Sequence, residues 1–206
     1  PGSTGRRGLG DLRCYRVFGS GVSFTGAADL ASGTPPTPRW GAVLAWVNGT
    51  GYVLGGFNAS GDMRDDKLYA FNLDYNPATL RYEVAWGGGQ APEALAGARP
   101  PTPLSPSPAV VGDKVYLIAP ASEGSPLYKV YALDPGLRRW LPTVDAGGVS
   151  AGGGGALSTA LLVPFAEGKV SIFLPTSGSN STSPLVLSFV PSYALAFGAG
   201  ALPEIG

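Results

Sequence analysis

The apolar residues of this chain fall in short runs punctuated by glycine, proline and asparagine, and the clearest set lies between Pro35 and Trp86. Runs at 42–47 and 52–54 are separated by Asn48-Gly49-Thr50-Gly51. Asn-Gly favours a tight hairpin turn because both residues tolerate positive φ. Gly55-Gly56 closes the second run and a polar loop follows. Further runs occupy 67–73 and 80–86, with turn-forming residues at 74–79 between them. Four short runs joined by turns predict four strands in order, forming one four-stranded antiparallel sheet.

The pattern returns downstream. Runs at 109–111, 114–119, 127–133 and 138–141 predict a second set of four strands, the first pair joined by Gly112-Asp113. Residues 147–155 read as a flexible glycine-rich connector. Beyond it, 156–163, 169–174, 185–190 and 193–197 make a third and weaker set, with a polar loop at 177–183. Upstream, 1–12 reads as a lead-in, 13–18 as a single strand and 19–38 as a loop. The end of the chain has a competing reading as a membrane tail, because no charged residue occurs from Val170 to Pro203. Pro184, Pro191, Ser188, Ser192, Gly198 and Gly200 weigh against a spanning helix there and favour strands.

Composition changes this picture little. Gly and Pro number 32 and 20, a share that raises low complexity or disorder, but 44% of the residues are hydrophobic and the aromatics are well spread. Many short strands joined by Gly/Pro turns reconcile the two. Formal net charge is zero, so nothing steers nucleic acid or anionic lipid to the chain. Arg6, Arg7, Arg13 and Arg16 read as a solvated segment. Cys14 is the one cysteine, which rules out an internal disulfide and reads as a small buried hydrophobe.

The stretch from Arg39 to Trp86 resembles a kelch repeat. The residues that carry the resemblance are Pro38-Arg39 before the first strand, the small and apolar run at 42–47, and Tyr52-Val53-Leu54-Gly55-Gly56. Tyr69, Phe71 and Asp74 in the third strand and its exit belong to it, as does Trp86 in the fourth. In the second set, Leu133-Asp134 matches Leu73-Asp74 at an interval of 60 residues, and Trp140 matches Trp86. Ala119-Pro120 stands where Gly55-Gly56 would be, and Pro175-Thr176 takes that place in the third set, which also lacks the tryptophan.

The resemblance implies an all-β fold, a partial kelch-like β-propeller built of four-stranded antiparallel blades. A small β-sandwich is the alternative. The implied divisions are 1–38, the last strand of a preceding blade plus a crossover loop; 39–98, the best blade; 99–146, a second; and 147–206, a third and divergent one. Closed propellers have about 4–8 blades, so the chain is expected to be part of a larger assembly, completed by more of the same protein or by a partner chain.

Candidate chemistry is sparse. With no histidine, Ser-His-Asp, Cys-His and histidine-bearing metal sites are excluded within this chain. Asp62, Asp65 and Asp66 do not match the EF-hand spacing, so no metal and no cofactor is expected. Arg64, Asp65 and Asp66 form the densest charged cluster in a loop and are the candidate interaction loop. Trp40, Trp86 and Tyr75 are candidates for stacking on sugar rings, with a core role as the plainer reading of the two tryptophans. Of five asparagines, Asn48, Asn58 and Asn180 open glycosylation sequons, all in predicted turns or loops. That points to an extracellular or cell-surface location, with a cytoplasmic one as the alternative. The function expected is a non-enzymatic protein-interaction or structural module, whose partner is a protein or the remaining blades. The alternative is a carbohydrate-binding or galactose-oxidase-like propeller that recognises glycans, with catalytic residues outside this chain. Neither a nucleic-acid nor a membrane partner is expected.

Overall fold

A computed structural model describes residues 12–18, 21–57, 60–62, 66–94, 99–101, 107–122, 125, 127–150, 161–164, 170–174 and 185–189. The fold is all-β, with no helix among the described residues. The chain divides into two compact units, Pro1–Ala91 and Pro92–Gly206.

In the first unit β1 (Arg13–Phe18) and β2 (Gly21–Ala27) form an antiparallel hairpin. Then come β3 (Asp29–Ser32), β4 (Val43–Val47), β5 (Thr50–Leu54), β6 (Leu68–Asn76) and β7 (Arg81–Gln90). They make a five-stranded sheet in the order β3-β7-β6-β5-β4. The last four are the predicted antiparallel meander, and β3 adds to β7 in parallel. The second unit repeats this plan. Here β8 (Glu93–Ala94), β9 (Ala109–Val111), β10 (Lys114–Pro120), β11 (Leu127–Asp134) and β12 (Arg139–Ser150) take the order β8-β12-β11-β10-β9, and β8 again adds in parallel to the last strand. A third sheet of β13 (Leu161–Pro164), β14 (Val170–Leu174) and β15 (Leu185–Phe189) is antiparallel throughout. The fourth strand expected at 193–197 lies outside the described residues.

Three expectations are corrected. Residues 19–38, read as loop, contain β2 and β3. Residues 147–155, read as a connector, begin inside β12, which stays paired until Ser150 meets Leu127. The turn read at 74–79 starts later, because β6 continues to Asn76. Its carboxamide Oδ1 accepts the N–H groups of Ala78 and Thr79 at 2.9 and 3.3 Å, and Leu80 takes a positive φ of 56° before β7. The second sheet uses the same device: Asp134 Oδ1 accepts the Leu137 N–H at 2.9 Å and Arg138 has φ 52°. An Asx side chain thus fixes where each third strand turns back.

Strand register aligns the two sheets residue by residue. Gly51 faces Phe71 and Phe71 faces Trp86; Val115 faces Leu133 and Leu133 faces Trp140. Trp86 and Trp140 are therefore equivalent, as the sequence pattern indicated. Phe71, not Leu73, is the counterpart of Leu133, two positions away from the sequence alignment. One step further, Thr50 Oγ1 donates to Asn72 Oδ1 at 3.4 Å, and in the second sheet Lys114 Nζ meets Asp134 Oδ2 at 2.9 Å. Both leading strands are held alike. Asp29 pairs with Arg81, and Glu93 with Arg139, each at 3.1 Å.

The Gly pair has a geometric cause. Gly55 and Gly56 have φ values of 67° and 94°, and a Cβ on Gly56 would sit 3.1 Å from the Trp40 carbonyl oxygen and the Ala42 Cβ. The chain turns away there so that Trp40 and Phe57 exchange backbone hydrogen bonds of 3.0 and 2.9 Å. Arg39, buried, donates from Nη1 to the Gly55 carbonyl at 2.8 Å and lies 5.1 Å from the centroid of the Tyr69 ring. In the second sheet β10 does not turn at this point. It runs on to Pro120, which pairs with Tyr128, so Ala and Pro replace glycines that the backbone no longer needs.

The core of the second unit is face-to-face sheet packing. Ala109, Tyr116, Ile118, Val130, Ala132 and Leu141 of the second sheet cluster with Leu162 and Val170 of the third. On the opposite face of β10, Val115, Leu117 and Ala119 are equally buried. A strand covered on both faces explains a run with no polar alternation. The buried charge of Asp134 is met by Lys114, which also pairs with Asp113 at 2.7 Å.

Two predictions follow from this packing. Gly56→Ala should cost about 1–3 kcal/mol in urea unfolding, because the new side chain must hold a left-handed backbone against Trp40 and Ala42; an unchanged midpoint would contradict that geometry. The second concerns alkaline pH. Burial raises the pKa of Tyr116 and of Tyr131. For Lys114 burial opposes the charge, but hydrogen bonds to Asp113 and Asp134 outweigh it and the pKa is raised as well. All three folded-state values lie above the unfolded ones. Their contribution is complete below about pH 10 and is lost as pH rises through the raised values. Urea midpoints should fall most steeply above about pH 10.

Candidate functional site

Some of the sequence candidates fall on described residues and others do not. Asn48 is exposed at the tip of the β4–β5 hairpin, with φ 48°. Asp66 and Asp62 are exposed. Asn58, Arg64, Asp65 and Asn180 lie outside the described residues. No group of three or more His, Cys, Asp or Glu is placed to hold a metal among the described residues. Trp40 is half-buried and stacks on Phe57 with ring centroids 4.7 Å apart. Trp86, also half-buried, packs on Phe71 at 4.8 Å. Tyr75 stands out, 43% exposed and edge-on to Tyr82 at 5.3 Å.

What the sequence reading missed is a cleft of about 420 Å³ in the first unit. One wall is Leu12, Arg13 and Cys14, at the start of β1. The other is the sheet, with Leu44 and Trp46 from β4, Phe71 and Leu73 from β6, and Tyr82 from β7. Strand alternation places them. Val43, Ala45 and Val47 are buried, while Leu44 and Trp46 point the other way and are 52% and 47% exposed. The run Val43–Val47 is apolar on both phases, and that double phase was the available signal.

The floor of the cleft is a packed aromatic group. Phe71 is buried, lies edge-on to Trp46 at 5.7 Å and contacts Trp86 on its other side. Its ring covers Gly51, where a Cβ would fall 2.1 Å from ring carbon. Glycine is required at that position because the opposing strand's ring fills the side-chain space. The same pairing recurs where Tyr69 covers Gly89. The Cys14 thiol sits in the wall with its pKa raised by burial, so it stays protonated at neutral pH and behaves as an apolar group rather than a nucleophile. Arg13 is the one charged residue lining the cleft among the described residues. An apolar, aromatic cleft with one cation at its margin has the make-up of a binding site. Among the described residues, no convergent nucleophile, base and orienting group lines it.

No helix among the described residues is long and apolar enough to cross a membrane. The segment expected as a strand at 185–190 forms β15, Leu185–Phe189. No known family model matches the chain, and no curated protein matches it.

Phe71 and Trp46 should separate in mutagenesis. Phe71→Ala removes the buried centre of the aromatic group and is expected to cost about 3–5 kcal/mol. Trp46→Ala, at a half-exposed position, should cost about 1 kcal/mol or less. Equal losses in urea unfolding would make Trp46 a core residue and remove the cleft's exposed aromatic.

Proposed function

We propose that this chain is a non-enzymatic protein-interaction or structural module of a larger kelch-like protein, in which the sheets serve as blades of a partial β-propeller. The observation that carries the reading is the buried Arg39, which joins the residues of the kelch resemblance to one another. Its guanidinium binds the carbonyl of Gly55 and lies over Tyr69. The register match of Trp86 with Trp140 supports a repeated unit, and so does the shared strand order of the two five-stranded sheets. On this reading the β1–β2 hairpin is the outer pair of a preceding blade. Like β7 before β8, β2 leads directly into the parallel strand of the next sheet. The cleft beside Leu44 and Trp46 supplies a surface for a partner.

The proposed location is extracellular, supported by the exposure of Asn48 in its sequon. A glycan-binding propeller is the second reading, favoured by the exposed Tyr75 beside Tyr82.

Two measurements test this. Secreted from a eukaryotic host, the protein should lose mass on enzymatic deglycosylation, and Asn48→Gln should remove one glycan; a chain secreted without glycan at Asn48 would contradict the assignment. Cross-linking capture with the secreted protein should recover a protein partner that also captures it in reverse. Binding to a glycan array with no protein partner would favour the second reading instead.

A further inference from the structure

The turn between β4 and β5 carries reactive chemistry of its own, apart from the cleft. The strand ladder closes at the Val47–Thr50 pair, so Asn48 and Gly49 form the loop. Both are exposed, and both hold left-handed backbone, with φ 48° and 80°. A Cβ built on Gly49 would meet nothing within 4 Å, so no neighbour crowds the tip or shields it from water. A backbone nitrogen can attack the carboxamide of the preceding asparagine, and glycine hinders that approach least because it has no side chain. Ring closure requires the tip to leave its turn conformation, and opening of an exposed hairpin tip lies at the low-cost end of local unfolding.

Of the five asparagines, Asn72 and Asn76 are the others among the described residues, and neither offers the same opening. Asn72 lies inside β6, paired with Ala85, and its Oδ1 accepts from Thr50 Oγ1 at 3.4 Å. Asn76 precedes Pro77, whose nitrogen has no hydrogen to lose. The Asn76 carboxamide is also bound to Glu83 and to the Ala78 N–H. The matching turn of the second sheet is Gly112-Asp113, which has no carboxamide.

We propose that Asn48 is a self-modifying site, at which the carboxamide is lost by cyclisation onto the Gly49 nitrogen unless a glycan occupies it. The Gly49 nitrogen gives its proton to hydroxide and attacks Asn48 Cγ. The bond from Cγ to the side-chain nitrogen breaks, ammonia leaves with a proton from water, and a cyclic imide remains. Water then opens the imide. Attack at Cγ gives aspartate, and attack at the main-chain carbonyl gives isoaspartate, whose backbone is longer by a methylene. The net change is amide plus water to acid plus ammonia, with no oxidant or reductant. A two-residue turn sets the register of its hairpin, so the longer backbone disrupts the Val47–Thr50 pair. Asn48-Gly49-Thr50 is a sequon, and a sugar on the Asn48 Nδ2 blocks ring closure. That protective arm rests on the extracellular reading.

The test follows the Asn48 amide by peptide mass mapping of the full chain made in bacteria, which carries no glycan. The amide should be lost to a mixture of aspartate and isoaspartate while those of Asn72 and Asn76 persist. The rate should rise roughly tenfold from about pH 7 to about pH 9, because the deprotonated nitrogen is the nucleophile. Thr50→Ala keeps Asn-Gly but removes the sequon, and circular dichroism checks its fold. Secreted from a eukaryotic host, this variant should convert as the bacterial protein does, while the glycan-bearing wild type should keep Asn48 unchanged. An Asn48 amide as persistent as that of Asn72 in the bacterial chain would overturn the proposal. So would conversion of the glycan-bearing wild type at the rate of Thr50→Ala. If the secreted wild type carries no glycan at Asn48, the extracellular reading fails, and loss of the amide in the bacterial chain still decides the chemistry.

Discussion

Strand β10 of the second sheet has no face left for water. Tyr116 and Ile118 are buried against the third sheet's Leu162 and Val170, and Val115, Leu117 and Ala119 are buried on the reverse side. A single sheet with two apolar faces cannot be stable alone, so the stacking of sheets follows from the sequence of β10 itself. Charges within such a layer must be matched in place. Asp134 is the example: it is held by Lys114 and caps its own turn through the Leu137 N–H. The equivalent place in the first sheet is less buried and makes do with the Thr50–Asn72 hydrogen bond.

The first sheet solves a different problem. Its face around Trp46 retains exposed apolar groups, and its interior is tightened by rings laid over glycines, Phe71 on Gly51 and Tyr69 on Gly89. These contacts connect the fold to the cleft. The ring that stabilises the sheet from within also lines the cleft. Arg39 works beside it, joining the chain before β4 to the exit of β5 and to Tyr69.

How much of this was legible follows the strength of each local signal. Strands with apolar runs bounded by Asn-Gly, Gly-Gly or Gly-Asp were placed to within a few residues, and Trp140 was matched to Trp86. The leading strands β3 and β8 were missed because they are short edge strands with little apolar content, held by Asp29–Arg81 and Glu93–Arg139 pairs between residues far apart in sequence. The turn before β7 was placed too early, since its position is set by the side chain of Asn76 rather than by Asp74. β12 passes through Gly147 and Gly148 because β11 is there to pair with it, a tertiary effect that overrides glycine's local preference. The cleft was legible only on one side, where both phases of Val43–Val47 are apolar. Nothing in the residues near Cys14 indicates that they will face Trp46.

The central claim is that the second and third sheets, both in the second unit, pack face to face, and it can be tested without knowing any partner. Nuclear Overhauser spectroscopy on methyl-labelled protein should show contacts from the methyls of Leu162 and Val170 to those of Ala109, Ile118 and Ala132, which belong to one buried cluster. Those cross-peaks are the result predicted. If the Leu162 and Val170 methyls instead show contacts only within their own sheet, the sheets do not stack, and the architecture from which the function was argued is wrong.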